Sequence, residues 1–218
     1  MFYGVDEAGK GAVLGPMVTA AVGILDLSLL LDTGVRDSKT LSRERREEMF
    51  LLLEDVCCYH AVVLQPHEID SLLARESMNM VVARAHAASL DGLPHPENPT
   101  SSSAYLDACD VNAERFGRTV SQLLKTPCAV ISEHRADSAH RIVAAASIIA
   151  KVLRDRAIDE LSEEYGDIGS GYPSDTLTIH FLKEYIREHG VAPPCSRSRW
   201  KTVSALLSNR NQSNLFDF

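Results

Sequence analysis

Two adjacent carboxylates, Asp6 and Glu7, follow the apolar run at 2–5 and stand directly before a glycine-rich turn, Gly9-Lys10-Gly11, with Gly15 and Pro16 beyond it. Apolar residues followed by turn formers predict a buried strand ending in a loop. Acids at the end of such a strand are costly to bury unless something offsets their charge. A metal ion does so, and the acids then become a site. Glycines beside them let a ligand reach the backbone with no Cβ in the way. Taken alone, the pair reads slightly better as an exposed turn facing water. The balance shifts because further acids carry the same signature. Ala104-Tyr105-Leu106 leads to Asp107, with Asp110 three residues on. The run at 128–131 leads to Glu133-His134-Arg135-Ala136-Asp137.

If the first, fourth and fifth strands lie side by side and parallel, Asp6, Glu7, Asp107 and Asp137 converge at one end of the sheet. Helices after the fourth and fifth strands supply the crossovers that parallel pairing requires. Hard divalent ions such as Mg²⁺ take carboxylate oxygens together with substrate phosphate. Two such ions about 3.5–4 Å apart stabilise the attacking and leaving oxygens of a phosphodiester. Four acids around two metals therefore point to phosphoryl transfer. Asp110 competes with Asp107, which is preferred because it directly follows the strand run. The bland alternative is four scattered surface acids. A carboxylate-pair glycosidase would use two of them, but it gives no reason for four acids beside glycine amides and cations.

The elements that must hold these residues follow from periodicity and punctuation. Residues 17–24 are apolar and predict a second strand, antiparallel to the first across a short connection. The loop 34–41 carries Lys39, and Ser42 is placed to cap a helix to about Asp55. Residues 56–64 predict a third strand, and Pro66 opens a helical region. His67 and His86 in that region are expected on the surface. Residues 91–103 form the clearest loop. Asn112 starts a helix, and Arg141 to Tyr165 is one long helix whose first half is almost wholly small or apolar. The loop 166–174, GDIGSGYPS, holds Tyr172. Thr176 to His189 is an amphipathic helix stopped by Gly190. A basic segment follows, with Arg197, Arg199, Trp200 and Lys201. Arg154 and Arg199 are expected to be surface charges.

The 218 residues fit one domain with a small extension. A content of 45% hydrophobic and 24% charged residues is that of an ordinary globule and excludes a disordered chain. No apolar run suits a bilayer, and no basic-then-apolar leader is seen, so a cytoplasmic protein is expected, with no membrane partner. The five cysteines are odd in number and form no CxxC pair, which argues against a disulfide framework or a zinc site. The net charge of −8 excludes indiscriminate nucleic-acid binding but leaves room for a local basic groove.

In order along the chain, GVDEAGKGAVLGP, RDSKTLS, YLDACD, EHRAD, AAASIIAKVLRDR, GSGYPSD and RSRWKTV resemble the type 2 ribonucleases H, specifically the archaeal ribonuclease HII family. The resemblance runs from Gly4 to about Val203. It implies an α/β, ribonuclease H-like fold: a five-stranded mixed sheet flanked by helices, with a helical C-terminal extension. It implies an endoribonuclease that cuts the RNA strand of RNA–DNA hybrids, and duplex DNA at embedded ribonucleotides, leaving 5′-phosphate and 3′-hydroxyl ends. The implied cofactor is Mg²⁺ or Mn²⁺, two ions per site, held by the four family acids Asp6, Glu7, Asp107 and Asp137. It also implies that Gly9, Lys10 and Gly11 offer amides near the ribose 2′-hydroxyl. Tyr172 would stack on the sugar after the ribonucleotide, and Lys39 would contact phosphate. The family's usual GRG is GKG here, as in the sister type, ribonuclease HIII. That type's extra N-terminal domain is not expected, because the chain begins at the motif. An inactive nucleic-acid-binding or clamp-associated module on the same fold is the alternative.

The last residues, Gln212-Ser213-Asn214-Leu215-Phe216-Asp217-Phe218, resemble the peptide by which many replication proteins bind the sliding clamp. Gln212, Leu215 and Phe218 fall on its glutamine, aliphatic and aromatic positions. The expected organisation is a catalytic domain with its helical extension over 1–207 and a flexible tail over 208–218, in a monomer.

Overall fold

A computed structural model describes residues 1–31, 33–35, 41–96 and 102–213, with side chains through 209. The chain divides into two compact units. The first comprises Met1–Ala8, Val18–Val63 and Ser77–Leu153; the second comprises Gly9–Met17, Leu64–Glu76 and the chain from Arg154 on.

The first unit holds the sheet. Strands β1 (Phe2–Ala8), β2 (Met17–Ile24), β3 (Cys58–Leu64), β4 (Ser103–Asp107) and β5 (Ala129–Glu133) lie in the order β3-β2-β1-β4-β5. β1 and β2 are antiparallel, from Phe2 opposite Ile24 to Ala8 opposite Val18. β1 runs parallel to β4, and β4 parallel to β5, as the strand-end acids required. The described α-helices are α1 (Arg43–Val56), α2 (Pro66–Leu72), α3 (Met78–Asp91), α4 (Ala113–Leu123), α5 (Ala136–Ala139), α6 (Arg141–Tyr165), α7 (Thr176–His189) and α8 (Lys201–Ser213). Ser42 and Asn112 cap α1 and α4, their side chains accepting from the amides of Arg45 and Arg115.

Small residues decide how close helix and sheet come. Residues Ile142 to Ala146, Ile148 to Ala150 and Val152 of α6 are all buried, so this part of the helix is enclosed on every side. Against it lies β1. At Gly4 an added Cβ would sit 2.3 Å from the Ile142 carbonyl oxygen, so only glycine admits this approach. The core joins these residues to Val18, Ala20, Val22 and Ile24 of β2 and to Met49, Phe50 and Leu53 of α1.

The second unit has its own small core of Val13, Leu14, Ile158, Ile168, Leu182, Cys195 and Val203. Asp175 caps α7 through the Leu177 amide, and Gly190, at φ 79°, ends it. Helices α7 and α8 form the C-terminal extension. α8 (Lys201–Ser213) crosses the boundary expected at 207.

Candidate metal centre and substrate loop

Register brings the acids together. The β1–β4 pairing ends at Val5 opposite Leu106, and the next residue on each strand is Asp6 and Asp107. Asp137 was expected at the end of the fifth strand, but it does not end a strand. It lies in the short helix α5, four residues beyond Glu133. Between them Arg135 adopts the left-handed conformation, φ 58°, alone among the described non-glycine residues. That conformation costs a side-chain-bearing residue roughly 1–2 kcal/mol. It turns the chain so that the Ala136 amide donates to Asp107 Oδ1 at 3.0 Å. Carboxylate oxygens of Asp6, Asp107 and Asp137 then lie within 4.8 Å of one another. Asp6 is 6% exposed and Asp137 4%.

Burial, and then the negative charges of Glu7 and Asp107, push the Asp6 carboxyl well above its ordinary range. Hydrogen bonds from Ser147 and from the Glu7 amide act the other way. Lys151, one turn along α6, donates to Ser147 Oγ at 3.0 Å. A cluster of hard oxygen donors whose own charges repel fits a divalent cation.

Glu7 is not in this group of three. Successive side chains of a strand point to opposite faces. Gly4 and Asp6 face α6, whereas Glu7 meets α3, where its Oε2 is 2.8 Å from His86 Nε2. His86, expected on the surface, is 0% exposed. A signal was present in the sequence: Val82, His86 and Leu90 recur every fourth residue, and all three are buried. The other ring nitrogen, Nδ1, is buried with no hydrogen-bond partner, at a cost of about 1–3 kcal/mol.

Asp110 is accounted for elsewhere. Arg115 grips both its oxygens, with Nη2 at 2.6 and 2.7 Å, and the Asn112 amide donates to it at 3.1 Å. The Arg115 hydrogen bonds hold this carboxyl below its usual range. Sequence alone left it a rival of Asp107; the structure pairs it.

Within the second unit, the glycine loop rests on two buried arginines. The Gly9 amide donates to the Tyr172 hydroxyl at 3.1 Å, and the Arg154 guanidinium lies 4.5 Å from the centre of the Tyr172 ring. Arg154, expected on the surface, is only 4% exposed and donates to the Ser170 carbonyl at 2.7 Å. Arg197 is fully buried; it donates to the carbonyls of Gly15 and Lys10 and lies over Trp200. Burial, and then the charge of Arg154, bring its guanidinium down to about 10. Both resemble surface charges in sequence, because nothing local marks a cation whose partners are distant carbonyls. Arg199 is exposed, as expected. Gly9 has φ 83°, and an added Cβ would lie 2.7 Å from the Pro16 carbonyl oxygen. Gly11 differs: a Cβ there would meet nothing within 4 Å among the described residues. Lys39, Leu215 and Phe218 lie outside the described residues, as does the Gln212 side chain.

The comparisons agree along the whole chain. The Ribonuclease HII family model matches residues 3–203. The ribonuclease HII of Methanoregula boonei is 50% identical over 218 residues, all of both chains. The crystal structure of ribonuclease H2 from Pyrococcus horikoshii OT3 superposes with a TM-score of 0.89 at 39% identity, covering 97% of this chain and 99% of that one. The structure of the PCNA:RNase HII complex from Archaeoglobus fulgidus contains a chain 42% identical, with a TM-score of 0.84, covering 94% of this chain and 96% of that one. Strand order, acid cluster and end-to-end similarity lead to one conclusion: this chain belongs to the ribonuclease HII family.

Proposed function

We infer that the protein is a metal-dependent endoribonuclease that cuts the RNA strand of RNA–DNA hybrids, and duplex DNA at embedded ribonucleotides. The observation that carries this is the triad of buried Asp6 and Asp137 with half-buried Asp107 in a family member aligned over its full length. Three close carboxylates in a protein interior are destabilising unless a cation joins them. An inactive binding module would gain nothing from keeping them. We assign Asp6, Glu7, Asp107 and Asp137 as the groups that hold two Mg²⁺ or Mn²⁺ ions. Bound divalent cations supply activation of the attacking water and stabilisation of the leaving oxygen. The chain's own part is to hold the acids: Ser147 and the Glu7 amide orient Asp6, and the Ala136 amide orients Asp107.

Gly9, Lys10, Gly11 and Tyr172 bind the substrate, with Lys39 on phosphate. Gly11 supports this, because nothing among the described residues crowds its Cβ position, whereas a ligand close to the backbone would. A 2′-hydroxyl is what separates RNA from DNA at such a contact. Incubation with a duplex containing one ribonucleotide is the test. Cleavage that requires Mg²⁺ or Mn²⁺ and leaves 3′-hydroxyl ends supports the reading; no cleavage with either ion overturns it. Tyr172→Ala is expected to slow that cleavage by about 5- to 150-fold, the equivalent of a lost stacking contact of about 1–3 kcal/mol. Equal rates would make Tyr172 a packing residue of its own loop.

Residues 212–218 dock on a sliding clamp. Support comes from their spacing and from a 42% identical relative solved in a PCNA complex. Removing residues 212–218 is expected to abolish clamp binding in calorimetry and leave cleavage of a short duplex unchanged. Undiminished binding by the truncated protein would refute the assignment. No described helix is long and apolar enough to cross a membrane. No disulfide joins any of the five cysteines, which supports placing this nucleic-acid enzyme in the cytoplasm. We take it to act as a monomer.

A further inference from the structure

The contact between Glu7 and His86 is unexplained by the packing of the sheet. The ring of His86 is fully buried, and Phe116 meets it edge-on with ring centres 5.2 Å apart. Apolar residues surround it on α3, with Val82 one turn before and Leu90 one turn after, both buried. An apolar ring in the same place would leave no orphaned nitrogen, whereas histidine leaves Nδ1 without a partner. The imidazole therefore gains from its other nitrogen, and that nitrogen touches Glu7 Oε2 at 2.8 Å. A carboxylate only accepts, so Nε2 carries the hydrogen.

We propose that His86 is a positioning residue for Glu7: its Nε2–H holds Oε2, fixes the rotation of the carboxylate, and leaves Oε1 as the oxygen offered to a divalent cation. The proposal rests on the assignment of Glu7 as a metal-holding group. Strand alternation gives the physical reason for such a device. Asp6 is oriented from the α6 side by Ser147, but Glu7 points to the other face and needs an anchor from α3. Glutamate has one more side-chain torsion than aspartate, so without that anchor its carboxylate samples more positions. Partners that orient a ligand in this way typically change metal affinity or activity by about 10- to 100-fold when lost.

The test is Mn²⁺ binding measured by calorimetry without substrate, together with the Mg²⁺ concentration that half-activates cleavage. His86→Phe keeps the ring volume and the contact with Phe116. It is expected to weaken Mn²⁺ binding about tenfold or more and to raise the Mg²⁺ requirement in parallel. Metal-free hybrid binding should stay within about twofold, because that binding rests on phosphate and groove contacts. His86→Gln, which retains an N–H donor, should recover most of the Mn²⁺ affinity. In a Glu7→Gln background, His86→Phe should have no further effect. If His86→Phe does not fold, His86→Met replaces it with the same expectation. Unchanged Mn²⁺ affinity in the His86 variant, or an equal loss in both backgrounds, overturns the proposal and leaves Glu7 as a ligand. Wild-type Mn²⁺ affinity in Glu7→Gln alone overturns the assignment of Glu7 itself, and the proposal with it.

Discussion

Asp6→Asn is expected to lower cleavage by about a thousandfold or more while the protein stays folded and binds hybrid. The amide keeps the shape of the side chain but removes the charge that joins it to a cation. Losing several kcal/mol of cation-dependent stabilisation, at about 1.4 kcal/mol per tenfold, gives that scale. Asp137→Asn should behave alike. Asp110→Asn should retain most activity, because Asp110 is engaged by Arg115 and the Asn112 amide. Single-turnover cleavage of a duplex with one ribonucleotide, beside metal-free hybrid binding, reads all three. An inactive Asp110→Asn with an active Asp107→Asn would move the third ligand to Asp110.

The same variant carries a pH signature. In the folded protein Asp6 prefers its neutral form, because burial and the neighbouring charges of Glu7 and Asp107 raise its titration above the ordinary aspartate value. The native state then holds a proton that the unfolded chain releases. Stability of the metal-free protein therefore falls as pH rises from that ordinary value toward the raised one, and the deficit persists above it. A cation removes the deficit, so the gain in Tm on adding Mg²⁺ should increase with pH over this range. Asp6→Asn should be more stable than wild type without metal at neutral pH, and it should show a weaker pH trend. A less stable metal-free variant would contradict the charge-repulsion account of the cluster.

Gly4→Ala is expected to damage the fold. The Cβ would lie 2.3 Å from the Ile142 carbonyl oxygen and 2.7 Å from the Val143 nitrogen. Both are backbone atoms of the first turn of α6 and cannot rotate aside. Relief requires the helix to shift, and the same helix carries Ser147, which bonds Asp6. Overpacking of this kind costs about 3 kcal/mol, the upper part of the usual range. For a chain of this size that lowers Tm by roughly 6–12 °C. Activity should fall with it. Gly11→Ala is the contrast: its Cβ meets no atom of the described residues within 4 Å, so Tm should hold while substrate cleavage drops. Thermal denaturation followed by circular dichroism decides, and an unchanged Tm for Gly4→Ala would show that α6 yields more easily than its packing implies.

Local chemistry made much of this protein legible in its sequence. Residues Met17–Ile24, Arg141–Tyr165 and Thr176–His189 form the elements that their apolar pattern and Gly190 specify. These signals act over a few residues and need no tertiary context. The ordered motifs pointed to the family, and the strand-end acids to a metal. What only the tertiary structure decided depends on contacts far apart in the chain. Strand alternation sent neighbouring Asp6 and Glu7 to different helices. The left-handed turn at Arg135, rather than a strand end, brought Asp137 to Asp107. Arg115 withdrew Asp110 from the candidates. His86 and Arg154 passed for surface groups because polar residues usually are, and Arg197 read only as part of a basic segment. Each is buried by partners at least 16 residues away: Glu7 for His86, Ser170 for Arg154, and the carbonyls of Lys10 and Gly15 for Arg197. A buried polar group is stable only where the fold supplies its hydrogen-bond partner, and no window of sequence contains that information.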